Sequence, residues 1–342
     1  MSRRKITKLE RLKHAKKRKK IQRSILFLAI VVLGVTFQLL NSRRVNLIVV
    51  NNNSKIEAQK EDDKIIAHEE ENEIINIEEE IVAEAEQVPE TIQTSQSSLE
   101  EVKTELQNYM NTHGLTEENF AMFYYQPNNN DFFTFNENKY FTAASTIKVP
   151  LAMIYYEKIN AGELSLDSKL IYKASDYEAG TGKTSIKYKT GDEIPLSFLL
   201  DEMIINSDNT ATQILKHGLG GDETYRTLIS KYARRPLPDN FYDENVICAA
   251  FGYDIISYLY DNQNSFQHLI DNMKKSSNGG YLKKNIYCEV AHKYGSYEKN
   301  IHDFGIVYAK NNYLVGIFTI GRDDAEQMIS EINQILLKIN EK

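Results

Sequence analysis

The stretch "FTAASTIKVPLAMIYYEKINAG" (residues 141–162) decides how the chain is read. Ser145 and Lys148 stand three residues apart, just ahead of an apolar run that includes Val149, Leu151, Ile154 and Tyr155. Positions i and i+3 share one helix face. A hydroxyl and an amine are therefore held side by side where a core helix begins. Taken alone, the pair reads as a capping serine and a solvated lysine, both common at helix starts. The rest of the chain has to say whether it is more than that.

Two downstream segments change the reading. "IINSDNTATQIL" contains Ser207, Asp208 and Asn209, and "VAHKYGSY" contains Lys293, Tyr294 and Gly295. The set S-x-x-K, S-D-N and K-T-G, in that order, belongs to class A β-lactamases and penicillin-binding proteins. The flanking text "INAGELSLDSKL" and "GDEIPLSFLLDEMIINSDNTATQILKHGLGG" is similar too. The region from 98 to 342 thus resembles a class A β-lactamase-like serine hydrolase, a penicillin-recognising serine enzyme. The resemblance implies Ser145 as nucleophile and Lys148 as its base, with Ser207 relaying a proton to the leaving nitrogen. It implies Lys293 as the neighbouring positive charge and Asn209 as the binder of a substrate amide. It also implies an oxyanion hole made by the backbone N–H groups of Ser145 and Ser296, beside Tyr294 and Gly295. The chemistry needs such a cluster. A serine is a poor nucleophile without a base, and a lysine is a base only when burial and nearby positive charge lower its pKa.

Two departures from the family pattern stand out. Tyr294 occupies the place of a small hydroxyl residue that helps hold a substrate carboxylate. The segment "RRPLPDNFYDENVICAAFGYDII" (residues 234–256) is shortened and lacks the E-x-x-x-N setting of the deacylating glutamate. Asp243 or Glu244 could substitute; the plain alternative is a polar turn after Pro236 and Pro238. The residues therefore argue well for acylation and poorly for fast deacylation. Three readings follow: a β-lactamase-like hydrolase, a D,D-peptidase-like enzyme acting on peptidoglycan stem peptides, or a binding or sensing module with a relic site.

Other patterns lead elsewhere. "YEAGTGKTS" (residues 177–185) looks like a phosphate loop, but Tyr177 stands where the first glycine is required, and "SIKYKTGDEIP" does not read as a helix. Lys189-Thr190-Gly191 is a literal K-T-G that comes before Ser207, out of family order, in a loop leading to a helix near Pro195. Cys248 and Cys288 sit in apolar contexts and read as free thiols. With no C-x-x-C or H-E-x-x-H, no metal site is expected. No cofactor and no nucleic-acid partner is expected either, and the domain is read as a monomer.

The 342 residues carry a net charge of −7, unevenly spread. Residues 1–23 are strongly basic; residues 24–42, "SILFLAIVVLGVTFQLLNS", hold no charge. About 19 residues can cross a ~30 Å hydrocarbon core, and the basic flank favours a cytoplasmic start. A cleaved signal peptide fits less well, because no A-x-A-like site follows. A single-pass membrane anchor with an extracytoplasmic C-terminal domain is therefore expected. Residues 43–97 are acidic, lack aromatics and read as a disordered linker. The catalytic domain is expected at 98–342. It should open with a helix capped by Ser98 and Glu101, followed by strands in "NFAMFYYQ" and "FFTFN". Helices fill the middle; strands in "IYCEVAHKYG", "DFGIVYAK" and "YLVGIFTIG" and a last helix close it. The expected class is α+β, an antiparallel sheet built from both ends of the domain with a helical region between.

Overall fold

In the computed structural model, the structure describes residues 90–276 and 279–342. The basic start, the apolar run at 24–42 and nearly all of the acidic linker lie outside the described residues. Among the described residues no helix is long and apolar enough to cross a membrane.

The elements run α1 (Glu90–His113), β1 (Phe120–Gln126), β2 (Asp131–Phe135), β3 (Tyr140–Thr142), α2 (Lys148–Asn160), β4 (Lys169–Ile171), α3 (Thr184–Lys187), β5 (Glu193–Pro195), α4 (Leu196–Ile205), α5 (Asn209–Gly218), α6 (Asp222–Ile229), β6 (Val246–Cys248), α7 (Ala249–Asp261), α8 (Gln267–Lys274), β7 (Glu289–Tyr297), β8 (Asn300–Tyr308), β9 (Tyr313–Ile320) and α9 (Ala325–Asn340). Five strands form an antiparallel sheet in the order β2-β1-β9-β8-β7, so the first and last of the described strands pair within it.

Both faces of β1 and β9 are covered, which explains why these two strands read as apolar runs without a polar alternate. Phe120, Met122 and Tyr124 of β1 and Tyr313, Val315 and Ile317 of β9 pack with Val102, Leu106, Ile329 and Ile332 of α1 and α9. The alternate residues Ala121, Phe123, Leu314 and Phe318 face the second core, built on α2, α4 and α7. Each large apolar side chain buried there contributes ~1.5–3 kcal/mol. Gly316 faces Phe123 across the β1–β9 ladder, and a Cβ on it would stand 2.1 Å from that ring. Helix α2 is apolar all round, buried from Lys148 through Tyr156, as befits a helix in the middle of a core.

Several expectations are corrected. Helix α1 begins at Glu90, so Ser98 lies inside it and does not cap it. The Ser98 hydroxyl donates to Asp131 Oδ2 at 2.9 Å, tying α1 to β2. Strand β7 begins at Glu289, later than "IYCEVAHKYG" suggests, because its ladder partner β8 ends at Tyr308, opposite Glu289. Thr184–Lys187 makes one helical turn where none was expected. Cys248 and Cys288 are free, as read.

Candidate active site

Ser145 sits in a short 3-10 turn (Ala144–Ile147) that runs directly into α2, with Lys148 the first residue of that helix. Strand β3 delivers the chain to this turn. Ala144, just before the serine, has φ +48°, and Ser207 has φ +57°. Non-glycine residues in the left-handed region carry backbone strain that surrounding contacts must hold. Here the two strained residues present, or immediately precede, the two hydroxyls that meet.

Those hydroxyls are joined. Ser207 Oγ donates to Ser145 Oγ at 2.9 Å. Lys148 Nζ donates to Ser207 Oγ at 3.2 Å, to the Ser207 carbonyl at 2.7 Å and to Asn209 Oδ1 at 2.8 Å. Lys293 Nζ donates to the same Ser207 Oγ at 3.2 Å and to the Tyr294 carbonyl at 3.1 Å. Ser145 is half-buried, while Lys148 is 4% and Lys293 0% exposed. Burial, reinforced by the charge of Lys293, holds the Lys148 amine well below the ordinary lysine range. Burial also lowers Lys293 to about 7, against an upward pull from Asp303. The structure thus gathers Ser145, Lys148, Ser207, Asn209 and Lys293 into one hydrogen-bonded cluster. Ser207 stands at its hub, between the lysines and Ser145.

Each residue of Ser207-Asp208-Asn209 has its own local reason. Asp208 caps α5, accepting from Ala211 N at 2.9 Å, and also accepts from Thr184 N at 2.8 Å. Asn209 Nδ2 donates to the Ala179 carbonyl at 3.1 Å. The loop with the phosphate-binding look therefore buttresses this segment. A Cβ on Gly180 would stand 2.6 Å from Asn209 Nδ2, and one on Gly182, where φ is +114°, would stand 2.1 Å from Asp208 Oδ2. The early Lys189-Thr190-Gly191 lies at a turn closed by Lys189 N donating to Asp192 Oδ2, next to β5.

Strand β7 brings Lys293, Tyr294, Gly295 and Ser296 alongside the Ser145 turn. A Cβ on Gly295 would lie 2.9 Å from Ser145 N and 3.1 Å from the Ala143 carbonyl, so glycine is what lets the strand come this close. Gly295 is buried and Ser296 exposed. Tyr294 is partly exposed, with its ring stacked on Tyr281 at 5.1 Å and 12°. Lys293 Nζ lies 4.4 Å from the centre of the Tyr294 ring.

Two contributors were not singled out from the sequence. His302 on β8 accepts from Thr319 N at Nδ1 (3.1 Å), which leaves Nε2 to donate to the Thr142 carbonyl at 2.8 Å. It is fully buried and lowered to about 4 by that burial, so it stays neutral and staples the sheet to the strand before Ser145. Asn245 flanks the turn itself. Its carbonyl accepts from Ala143 N at 2.7 Å, its Nδ2 donates to the Ala144 carbonyl at 3.2 Å, and its buried Oδ1 has no partner among the described residues. An isolated histidine and an asparagine in a loop give no sequence signal of such roles. Asp243 and Glu244 are exposed; Glu244 Oε2 accepts from Asn240 Nδ2 at 2.9 Å, and its carbonyl accepts from Arg226. No cluster of residues able to hold a metal occurs among the described residues.

A model of the β-lactamase enzyme family matches residues 101–339. No curated protein sequence matches the chain. Among solved structures, TLA-1 extended-spectrum β-lactamase superposes with a TM-score of 0.62 at 21% identity, covering 72% of this chain and 100% of that one. A β-lactamase from Sphaerobacter thermophilus gives 0.57 at 24%, covering 65% and 91%. PBP-A gives 0.59 at 19%, covering 68% and 94%, and a variant of PBP-A is known as an acyl-enzyme complex with penicillin G.

Proposed function

The chain belongs to the β-lactamase enzyme family and is a serine hydrolase of that type, and from this premise we propose that it forms an acyl-enzyme on Ser145 with β-lactams and releases it slowly. The observation that carries the reading is the chain of hydrogen bonds Ser145–Ser207–Lys148, with Lys293 on the same hub. With Lys148 neutral, and with the two hydroxyls rotated so that Ser145 donates to Ser207 and Ser207 to the Lys148 amine, the Ser145 proton passes to Ser207 as the Ser207 proton passes to Lys148. The freed Ser145 Oγ bonds to the carbonyl carbon of the lactam. The backbone N–H groups of Ser145 and Ser296 receive the developing oxyanion. Collapse of the intermediate breaks the C–N bond, and Lys148 returns its proton through Ser207 to the leaving nitrogen. Asn209 and Gly295 shape the binding cleft beside these groups. General-base help of this kind is worth about 100- to 10,000-fold.

Hydrolysis of the acyl-enzyme requires a base for water. Asp243 and Glu244 are exposed on a turn, and the hydrogen bonds of Glu244 go to Asn240 and Arg226. This favours a second reading, in which the acyl group is held long enough for D,D-peptidase-like chemistry on peptidoglycan stem peptides. The basic start and the apolar run support a single-pass membrane anchor with the catalytic domain outside the cell.

Fluorescent penicillin tests the reading. It should label the wild type and fail to label Ser145→Ala; label retained in Ser145→Ala, or found on Ser207, defeats the assignment. Intact-protein mass spectrometry after one penicillin pulse should show an adduct lasting many minutes. An adduct that vanishes in seconds with stoichiometric product indicates an efficient β-lactamase and makes Asp243 and Glu244 the next positions to test.

A further inference from the structure

We propose that Asp303, buried with His292 on the far face of the β7–β8 ladder, is the counter-charge of Lys293 and thereby a positioning residue for acylation: it keeps one lysine of the cluster an ammonium while the other serves as base. The inference rests on the acyl-serine reading above.

Two buried lysines meet at the Ser207 hydroxyl, yet among the described residues neither forms an ion pair. They donate to the Ser207 hydroxyl and carbonyl, to Asn209 Oδ1 and to the Tyr294 carbonyl. Buried ammonium groups without a counter-charge lose their protons. The base has to be neutral, but the lysine that steadies the developing alkoxide has to keep its charge. Lys293 is the deeper of the two, at 0% exposed against 4% for Lys148, so burial alone cannot be what keeps it charged.

The missing charge lies across the sheet. Successive residues of a strand point to opposite faces, so Lys293 turns toward Ser207 while His292 and Tyr294 turn toward the α1–α9 side. Lys293 Nζ is held by the Tyr294 carbonyl at 3.1 Å, and the ladder partner of Tyr294 is Asp303. Asp303 and His292 are both fully buried. A carboxylate only accepts, so His292 Nδ1 carries the proton of the 2.6 Å bond to Asp303 Oδ2. His292 Nε2 has no partner among the described residues, and a proton there would be a buried donor without an acceptor. The imidazole is therefore neutral, and the pair keeps a full negative charge. Leu282 N gives Oδ2 a second donor at 3.1 Å, while Oδ1 has none among the described residues. This carboxylate pulls the Lys293 amine up against its burial.

The other ionisable groups nearby are engaged elsewhere. Glu178 and Asp208 bear on Lys148. The Asp208 oxygens take the N–H groups of Ala211 and Thr184, and Glu178 takes Gln213 Nε2. His302, on the Lys293 face of β8, is kept neutral by burial. On the far face, Lys283 Nζ donates to the Lys274 carbonyl. Tyr281 is pushed up to about 12, by burial first and then by Glu326 and Asp303, and stays a neutral phenol.

The test is the pH profile of Ser145 acylation in the full chain, with penicillin as the probe. In the wild type the rate should fall on the alkaline side with a midpoint near 7, as the ammonium that donates to Ser207 Oγ is lost. Asp303→Asn keeps the side chain's size and an acceptor for Leu282 N. It should move the midpoint down by about one pH unit, the low end of what an opposite charge exerts. Acylation would then be about tenfold slower than wild type at about pH 8.5 and within about twofold at about pH 6. His292→Asn keeps a donor to Asp303 but no group that can be charged, so it should retain the wild-type midpoint. A loss that is uniform across pH in Asp303→Asn, with the midpoint unmoved, makes Asp303 structural only and overturns the proposal. A midpoint that rises in His292→Asn also overturns it, because the imidazole would then have been charged. Should Asp303→Asn not fold, the carboxyl ¹³C shift of Asp303 in the wild type is read instead; it should step at the alkaline midpoint, and no step there overturns the proposal. Failure of penicillin to acylate Ser145 at any pH overturns the acyl-serine reading and this inference with it, whereas acylation with an unmoved midpoint overturns this inference alone.

Discussion

Ser207 carries more of the site than its place in the motif suggests, because Ser145, Lys148 and Lys293 all meet its hydroxyl. Ser207→Ala should therefore slow acylation about as much as Lys148→Ala, by roughly 100- to 10,000-fold, with both variants folded. Stopped-flow acylation alongside circular dichroism checks this, and a Ser207→Ala rate near wild type would show that Lys148 works without a relay. Asn245 offers a second test at this scale. Its Oδ1, unpartnered among the described residues, lies on the residue that holds the Ala144 carbonyl, next to Ser145. Asn245→Asp places a carboxylate beside the turn that carries Ser145, and should shorten the lifetime of the penicillin adduct by tenfold or more, as general-base help would. An adduct lifetime in Asn245→Asp equal to wild type would place the limiting factor elsewhere.

At the scale of elements, β7 and the glycine loop position the site by close approach. Gly295→Ala should push β7 away from Ser145 N and cost about 100- to 1000-fold in acylation, the usual loss for a damaged oxyanion hole. Penicillin labelling rates measure it, and labelling within a few-fold of wild type would show that the strand can yield. These elements were legible to different degrees. The strands announced themselves as apolar, aromatic runs, and S-x-x-K, S-D-N and K-Y-G located Ser145, Lys148, Ser207, Asn209 and Lys293, which the fold brings together. The limits of the elements were less legible, because partners far along the chain decide them. Ile286–Cys288 has strand-like residues but no opposite strand, since β8 ends at Tyr308. The turn at Thr184–Lys187 depends on Asp208 taking the Thr184 N–H. His302 and Asn245 were invisible for the same reason: each works through backbone groups on strands or turns distant in sequence.

The whole molecule pays for its neutral and charged buried groups in a pH-dependent way. His302 is held at about 4, against 6.5 for the unfolded residue. Between those values the unfolded chain binds a proton that the native domain refuses, so stability falls as pH falls from about 6.5 to 4, by roughly 3 kcal/mol. Lys293, at about 7 against 10.5, makes stability rise with pH above 7, where the unfolded chain holds the extra proton. Urea titrations at several pH values should show both limbs, and Lys293→Met should be more stable than wild type at pH 6 and show a shallower upper limb, the remainder coming from buried Lys148. A flat profile in the wild type would contradict the burial argument. The arrangement of the central sheet has a further consequence, for the timing of folding. Strands β1 and β9 pair across roughly 190–200 residues of chain. Contacts so distant must wait for a large loop to close, which makes folding slow. During synthesis β1 has no neighbour for its inner edge until β9 has emerged, so a chain stopped before β9 should have no stable native-like intermediate to rest in. Completion of the sheet is in effect a check that the chain has been made through β9 before the cluster around Ser145 and Ser207 is assembled.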